Sequence, residues 1–229
     1  AFLFQATLDD CEKNSEVRSI VLSGNGKAFC AGQDLKEVIS PELNPGFKKI
    51  LEEHYNPIIT RIRNINKPII AAVNGVAAGA GANIALACDV VIASENVSFI
   101  QAFSKIGLVP DSGGTFFLPR LIGFQKASAL MMLGDKIPAK EAEVLGMIYK
   151  VYPVDIFNEE VKTIATNLAN MPTKALGFIK RLLNKSMTNT LDEQLYLEGK
   201  LQIEAAQSDD YTEGVNAFIE KRKPIFKGK

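Results

Sequence analysis

Four short runs of β-branched and aliphatic residues alternate with segments of helical periodicity along the first two thirds of the chain. The runs have the length and composition of buried strands and cover residues 18–22, 68–73, 90–93 and 147–151. Helical patterns separate or flank them at residues 1–12, 47–64, 81–88, 125–133 and 139–145. This alternation predicts an α/β core.

The pattern changes after about residue 155, where only helical periodicity remains. Pro172 and the pair Asn189-Thr190 interrupt it, and helices are predicted at 173–186, 191–207 and 211–221. We therefore expect an α/β core with the functional site at residues 1–154 and a helical region at 155–229 that packs on the core or on another subunit. Because the chain opens on Ala1-Phe2 without Met, we also expect further sequence before residue 1.

Composition limits the classes of protein to which this chain could belong. The chain has 229 residues, 47% of them hydrophobic, and its 26 basic and 26 acidic side chains balance. This balance gives no electrostatic reason to expect a nucleic-acid or membrane partner.

Cysteine and histidine usage excludes other kinds of site. Cys11, Cys30 and Cys88 are odd in number and lack CxxC spacing, which favours reduced thiols over disulfides or zinc. His54 is the only histidine and is expected on a partly exposed helix face, so a His-based triad is not predicted. No secretion signal or membrane-spanning run is evident, and a cytoplasmic location is expected.

Three glycine-containing segments are the candidates for chemistry, because backbone approaches a ligand closely only where side chains are absent. They are residues 29–35, 74–83 and 107–115. A dinucleotide motif fails, since Gly79-x-Gly81 would need glycine where Ile84 stands, and no Gly-Lys-Ser/Thr phosphate loop follows.

A helix predicted to begin near Gly81 would present unpaired N–H groups, Ala80 first among them. A thioester enolate needs two such donors, and the turn Ala31-Gly32-Gln33 could supply the second. The alternative is that these glycines only shape turns.

Together these segments resemble the crotonase family of enoyl-CoA hydratases and isomerases. The resemblance rests on Ala31-Gly32-Gln33-Asp34, on Gly79-Ala80-Gly81, on residues 107–115 and on the C-terminal residues 218–226. It implies a stack of ββα units followed by a helical trimerisation region, assembled as a homotrimer or a hexamer. It also implies an acyl-CoA substrate and no metal or redox cofactor, since coenzyme A belongs to the substrate.

The same resemblance implies roles for individual residues. The backbone N–H groups of Gln33 and Ala80 would form the oxyanion hole. Substrate or coenzyme A binding would involve Ala31, Asp34, Leu35, Gly79, Phe103 and Lys221. For Phe103 the alternative is core packing, and for Lys221 it is a solvated helix end.

The chain departs from the hydratases at two positions. They carry two glutamates where this sequence has Asn83 and Phe103, neither of which can titrate, so hydratase activity is not expected. A single carboxylate remains in the neighbourhood, Asp111, where some isomerases of the family carry their working acid. Its alternative role is to cap the helix that follows.

The resemblance is strongest to those family members that isomerise ring-epoxidised aromatic acyl-CoA, with Asp111 as the proton shuttle. A Δ3,Δ2-enoyl-CoA isomerase of fatty-acid oxidation is the nearest alternative. A non-catalytic relative that binds acyl-CoA or RNA is the alternative of another class.

Overall fold

The computed structural model describes all residues from Ala1 to Lys229, and its eight strands form two sheets. In chain order the strands are β1 (Ile20–Ser23), β2 (Ala28–Cys30), β3 (Ile69–Val73), β4 (Val76–Ala78), β5 (Val90–Ser94), β6 (Ser98–Ile100), β7 (Lys136–Pro138) and β8 (Lys150–Tyr152). The first sheet has the order β1-β3-β5-β8 and is parallel throughout. Its members are the four strands that the hydrophobic pattern predicts.

The second sheet consists of three-residue strands in the order β2-β4-β6-β7. They pair in parallel, except that β7 runs antiparallel to β6. Along the chain each of β1, β3 and β5 is followed at once by a strand of the second sheet, and then by helix. This succession confirms the predicted stack of ββα units.

The helices of the core are α1 (Phe2–Lys13), α2 (Leu35–Ile39), α3 (Phe47–Lys49), α4 (Asn56–Asn64), α5 (Ala80–Leu86), α6 (Gly114–Ile122), α7 (Phe124–Leu133) and α8 (Ala139–Val144). A 3₁₀ turn covers Ala102–Ile106. Between α3 and α4 the backbone forms a π-helical stretch, Ile50–Tyr55, so that the Asn56 N–H donates to the Leu51 carbonyl, five residues earlier. The predicted helix at 47–64 is therefore one continuous helical segment with a wider turn in its middle.

Beyond β8 the chain is helical, with α9 (Phe157–Asn170), α10 (Thr173–Ser186), α11 (Leu191–Ala205) and α12 (Asp209–Ile219). None of the helices combines the length and the apolar character that crossing a membrane requires. Helix α9 packs on the first sheet through a small cluster that includes Ile70, Ala72, Ile92 and Phe157. Because Ile69, Ala71 and Val73 face the main core on the opposite side, β3 is buried on both faces, as central parallel strands usually are.

Helix α1 is fastened to the core at its C-terminal end by a buried lysine. The ammonium group of Lys67 donates to the carbonyls of Cys11, Glu12 and Asn14 at 2.6, 2.9 and 2.8 Å. These carbonyls lack partners within the helix, so the lysine satisfies them and complements the negative end of the helix dipole.

The two sheets and α5 meet at Gly81, where the backbone of β2 leaves no room for a side chain. A Cβ on Gly81 would lie 2.1 Å from the Cys30 carbonyl oxygen and 2.6 Å from the carbonyl carbon. Glycine is therefore required for α5 to lie directly against the end of β2.

We predict that Gly81→Ala destabilises the protein by about 1–3 kcal/mol, because the overlap with backbone outweighs the better helix propensity of alanine. Gly199→Ala is the matched control, since Gly199 lies in α11 with nothing within 4 Å of its added Cβ. This second change should stabilise the protein by about 0.5–1 kcal/mol. Urea unfolding of both variants measures the difference, and equal stability of the two would refute the contact.

Candidate active site

The turn after β2 lies directly against the start of α5. Gly32 has φ +90°, and a Cβ there would lie 3.2 Å from the Ala78 carbonyl oxygen and 3.6 Å from the Ala80 nitrogen. Gly79 precedes the helix with φ 54° and ψ −127°, in a conformation that suits glycine. The structure thus brings together the two segments that the sequence analysis singled out.

Each of the two segments presents a backbone N–H group. The N–H of Gln33 donates to no acceptor in the chain. Ala80 is the first residue of α5, so no carbonyl of its own helix lies four residues before its N–H. Two donors that the fold leaves unused on adjacent segments are suited to an oxygen that gains negative charge.

Asp111 lies between the 3₁₀ turn and α6 and is half-buried. The hydroxyl of Ser112 donates to Asp111 Oδ1 at 2.8 Å. Burial raises the pKa of the Asp111 carboxyl above its ordinary value, and the Ser112 hydrogen bond opposes part of that rise. Helix α6 has Gly113 as its N-cap and no side-chain cap, so the alternative role of Asp111 as a capping residue is not realised.

The two positions where the sequence lacks glutamate are both buried. Asn83, on α5, is fully buried, and its Nδ2 donates to the Asp111 carbonyl oxygen at 2.8 Å. Phe103 is 6% exposed, and its Cζ lies 3.6 Å from where a Cβ on Gly79 would stand. Phe103 therefore packs against the backbone that leads to the Ala80 N–H, and neither position offers a group that titrates.

A cleft of about 940 Å³ reaches this region from the side of α1 and β1. Its walls are mostly apolar and include Phe4, Leu8, Leu22, Phe29, Ile58 and Ile84. It meets the turn at Cys30, Gln33 and Asp34, whereas Asp111 and Ala80 do not line it. The cleft thus offers room for an apolar group on the Gln33 side of the two N–H groups.

Comparison with known proteins identifies the family. The family model for enoyl-CoA hydratase/isomerase matches residues 3–229. This chain belongs to the enoyl-CoA hydratase/isomerase family.

The family members that are similar to this chain include proteins named isomerase and proteins named hydratase. The 1,2-epoxyphenylacetyl-CoA isomerase of Escherichia coli is 45% identical over 97% of this chain and 86% of the relative. A protein of Rhodobacter capsulatus named "Probable enoyl-CoA hydratase" is 45% identical over 93% of this chain and 82% of its own length. Among solved structures, the enoyl-CoA hydratase of Bacillus anthracis superposes with a TM-score of 0.91 at 33% identity, covering 99% of this chain and 88% of that one. The chain is therefore an enzyme of a family that acts on acyl-CoA, while isomerase and hydratase are not separated by similarity alone.

The structure also places the residues that the family resemblance assigns to binding. Ala31 is exposed on the turn, and Leu35 is exposed at the start of α2. The carboxylate of Asp34 caps α2 by accepting the Lys36 N–H at 2.9 Å, and it also lines the cleft. Lys221 is exposed just after α12, with φ 55°, and does not line the cleft. Its assignment to coenzyme A binding stays a prediction.

Two further residues at this site were missed by sequence reasoning. Glu37 lines the cleft, and its Oε2 accepts a hydrogen bond from Gln33 Nε2 at 2.6 Å. Glu37 is thus a second carboxylate of the cleft, beside Asp34, that the sequence analysis does not name. The spacing of four residues between Gln33 and Glu37 would have indicated the pair if the five-residue helix α2 had been predicted.

The other missed residue is Tyr55, the last residue of the π-helical stretch. Its half-buried phenol lines the cleft, and its pKa is raised, chiefly by burial and then by the nearby Cys30, Asp111 and Glu37. The phenol therefore stays protonated and available as a hydrogen-bond donor at neutral pH. The α-helical period does not predict the direction of a side chain at the end of a π turn, so Tyr55 could not be assigned to the cleft from the sequence. No group of three or more His, Cys, Asp or Glu side chains is placed to hold a metal ion.

We predict that Ser112→Ala raises the pKa of the Asp111 carboxyl further. The hydroxyl stabilises the ionised carboxylate, so its loss favours the protonated form. A carboxyl-carbon NMR titration of the wild type and the variant measures the shift directly. Ser104→Ala, at an exposed serine of the 3₁₀ turn, is the control and should leave the titration unchanged. A Ser112 variant that titrates at a lower pH would contradict the geometry.

Proposed function

We propose that this chain is an acyl-CoA isomerase in which Asp111 moves a proton while the N–H groups of Gln33 and Ala80 hold the thioester enolate. The observation that supports the proposal is the half-buried carboxylate of Asp111, in a loop that Asn83 of α5 contacts. Gln33 and Ala80 present backbone N–H groups on adjacent segments at the start of the same helix. Asn83 and Phe103 stand where a hydratase would need carboxylates.

The chemistry requires one group that first accepts and then donates a proton. The proton on the carbon α to the thioester becomes acidic when the developing enolate oxygen accepts hydrogen bonds from the two N–H groups. A carboxylate whose pKa is raised by burial is a better base than an exposed one, and after protonation it is an acid that returns the proton at a distant carbon. This sequence of steps calls for no metal and no redox cofactor.

Addition of water would require two groups that titrate, where isomerisation requires one. One group must deprotonate and orient water, while a second delivers a proton to the α carbon. Asn83 is committed to the Asp111 carbonyl, and Phe103 is apolar. Glu37 accepts a hydrogen bond from the Gln33 side-chain amide. Because none of these three side chains is free to transfer a proton to or from water, the site supports isomerisation better than hydration.

The proposed substrate is 2-(1,2-epoxy-1,2-dihydrophenyl)acetyl-CoA, which would be converted to oxepin-CoA in phenylacetate catabolism. Its support is the 45% identity to the Escherichia coli 1,2-epoxyphenylacetyl-CoA isomerase and the mostly apolar cleft, which offers room for a hydrocarbon ring. The ring bond shared by the epoxide and the six-membered ring would open while both C–O bonds persist. One proton would move from the α carbon to a ring carbon, so atoms balance. A Δ3,Δ2-enoyl-CoA isomerase would use the same groups and is the second candidate.

We predict that Asp111→Asn lowers kcat at least about a hundredfold on either substrate, because the amide cannot accept the proton. Affinity for hexanoyl-CoA and the melting temperature should change little, since size and shape are kept. Asp135→Asn, at an exposed aspartate, is the control and should keep full activity. Turnover of epoxyphenylacetyl-CoA and of 3-hexenoyl-CoA by the three proteins tests the mechanism and ranks the substrates. Near-normal kcat in Asp111→Asn would end the proposal, and turnover of neither substrate by the wild type would favour a non-catalytic relative.

The wild-type protein should not hydrate crotonyl-CoA at a useful rate. Asn83 and Phe103 supply neither the base nor the acid that hydration requires. Loss of the enoyl thioester absorbance measures hydration, with an authentic hydratase as the positive control. A rate comparable to that control would show that other groups, Glu37 first among them, perform the reaction.

A further inference from the structure

Asn83 occupies the centre of a hydrogen-bonded chain beneath the proposed active site. Its side chain is fully buried. Its Nδ2 donates to the Asp111 carbonyl oxygen at 2.8 Å, and its Oδ1 accepts from Gln101 Nε2 at 2.7 Å. One amide therefore connects Gln101, which lies between β6 and the 3₁₀ turn, with the loop that carries Asp111.

The Asp111 carbonyl oxygen receives two donors. Besides Asn83 Nδ2, the Gly114 N–H donates to it at 2.9 Å. A Cβ on Gly114 would lie 2.4 Å from Asn83 Nδ2, so the loop backbone closes directly over the amide. The backbone of Asp111 is thus held from one side by its own loop and from the other by α5.

An amide is the side-chain group that this position requires. It offers a donor to the Asp111 carbonyl and an acceptor to Gln101 at the same time. A carboxylate would set an acceptor against the carbonyl oxygen, and an aliphatic side chain would supply neither bond. Because Gln101 donates to Asn83 Oδ1, it also determines which end of the Asn83 amide faces Asp111.

This arrangement is kept at a cost in stability. Gln101 is 3% exposed, and its Oε1 is buried without a hydrogen-bond partner. An unpaired buried acceptor destabilises a fold, and such departures from full hydrogen bonding are expected where function requires them. An apolar pair at positions 83 and 101 would avoid that cost but would release the loop.

We propose that Asn83 and Gln101 are positioning residues that hold the backbone of Asp111 where its carboxylate reaches the α proton of the substrate. The inference rests on the proposed function. Neither side chain needs to touch a reacting atom, since both act through the Asp111 carbonyl. A displacement of about 1 Å in a reacting group can lower a rate a hundredfold, so the loss of one such bond has a measurable effect.

The first variant is Asn83→Leu, which keeps the branched shape and removes both hydrogen bonds. We expect kcat on 3-hexenoyl-CoA to fall roughly tenfold to a hundredfold, while the Kd for hexanoyl-CoA stays unchanged. The isotope effect on kcat with the α-deuterated substrate should increase, because proton transfer becomes slower relative to the other steps. Asn167→Leu, at an exposed asparagine of α9, is the matched control and should behave as wild type.

The second variant, Gln101→Met, leaves Asn83 in place and removes only its hydrogen-bond donor. It still tests the inference if Asn83→Leu does not fold. We expect a smaller decrease in kcat, and no further decrease when Gln101→Met is added to Asn83→Leu, because Gln101 acts through Asn83. Independent effects that multiply in the double variant would overturn this relation.

Hydrogen exchange of the Gly114 amide gives a measurement that does not depend on turnover. Faster exchange in Asn83→Leu, together with the lower kcat and the larger isotope effect, supports the inference. Unchanged exchange, or an unchanged kcat in a variant of an active enzyme, overturns the inference alone. A wild-type enzyme without isomerase activity overturns the proposed function, and that result is separate from the exchange measurement.

Discussion

The close approach of α5 to the end of β2 is the contact on which the rest of the site depends. It is possible only because Gly81 has no Cβ to meet the Cys30 carbonyl. With α5 in that position, the turn through Gln33 lies beside the Ala80 nitrogen, so the two backbone donors are on adjacent segments. The proposed oxyanion site would therefore be a product of packing between two backbones, and its donors would be less sensitive to side-chain substitution than a site built from side chains.

The seven residues of α5 combine three separate tasks. Ala80 presents an N–H group at its start, Gly81 permits the approach to β2, and Asn83 holds the Asp111 loop from within the core. Every residue of the helix is buried, so each of these groups is fixed by its surroundings. A helix this short would not persist alone in water, and its geometry comes from the sheets and from α6 around it.

Local sequence patterns predict the first sheet well and the second poorly. The central strands of the first sheet, β3 and β5, have five residues each and near-continuous burial, which is a strong signal, whereas three residues in β2 or β6 are too few for any periodicity to appear. At the site, Asp111, Gln33 and Ala80 could be named because glycines surround them. Glu37, Tyr55 and Gln101 could not, since their importance comes from contacts across the fold. The only local indication for Glu37 is its spacing of four residues from Gln33, and it has meaning only if helix α2 is predicted, which it was not.

The π-helical stretch at Ile50–Tyr55 has an evolutionary consequence. A turn closed by i→i+5 bonds holds one residue more than an α-helical turn, so it absorbs a single-residue insertion without disturbing the helix on either side. In an unbroken α-helix the extra residue would instead rotate every preceding side chain by about 100° relative to those that follow, according to the 3.6-residue period. The wider turn therefore lets the side chains before and after it keep their directions, while Tyr55 at its end lines the cleft.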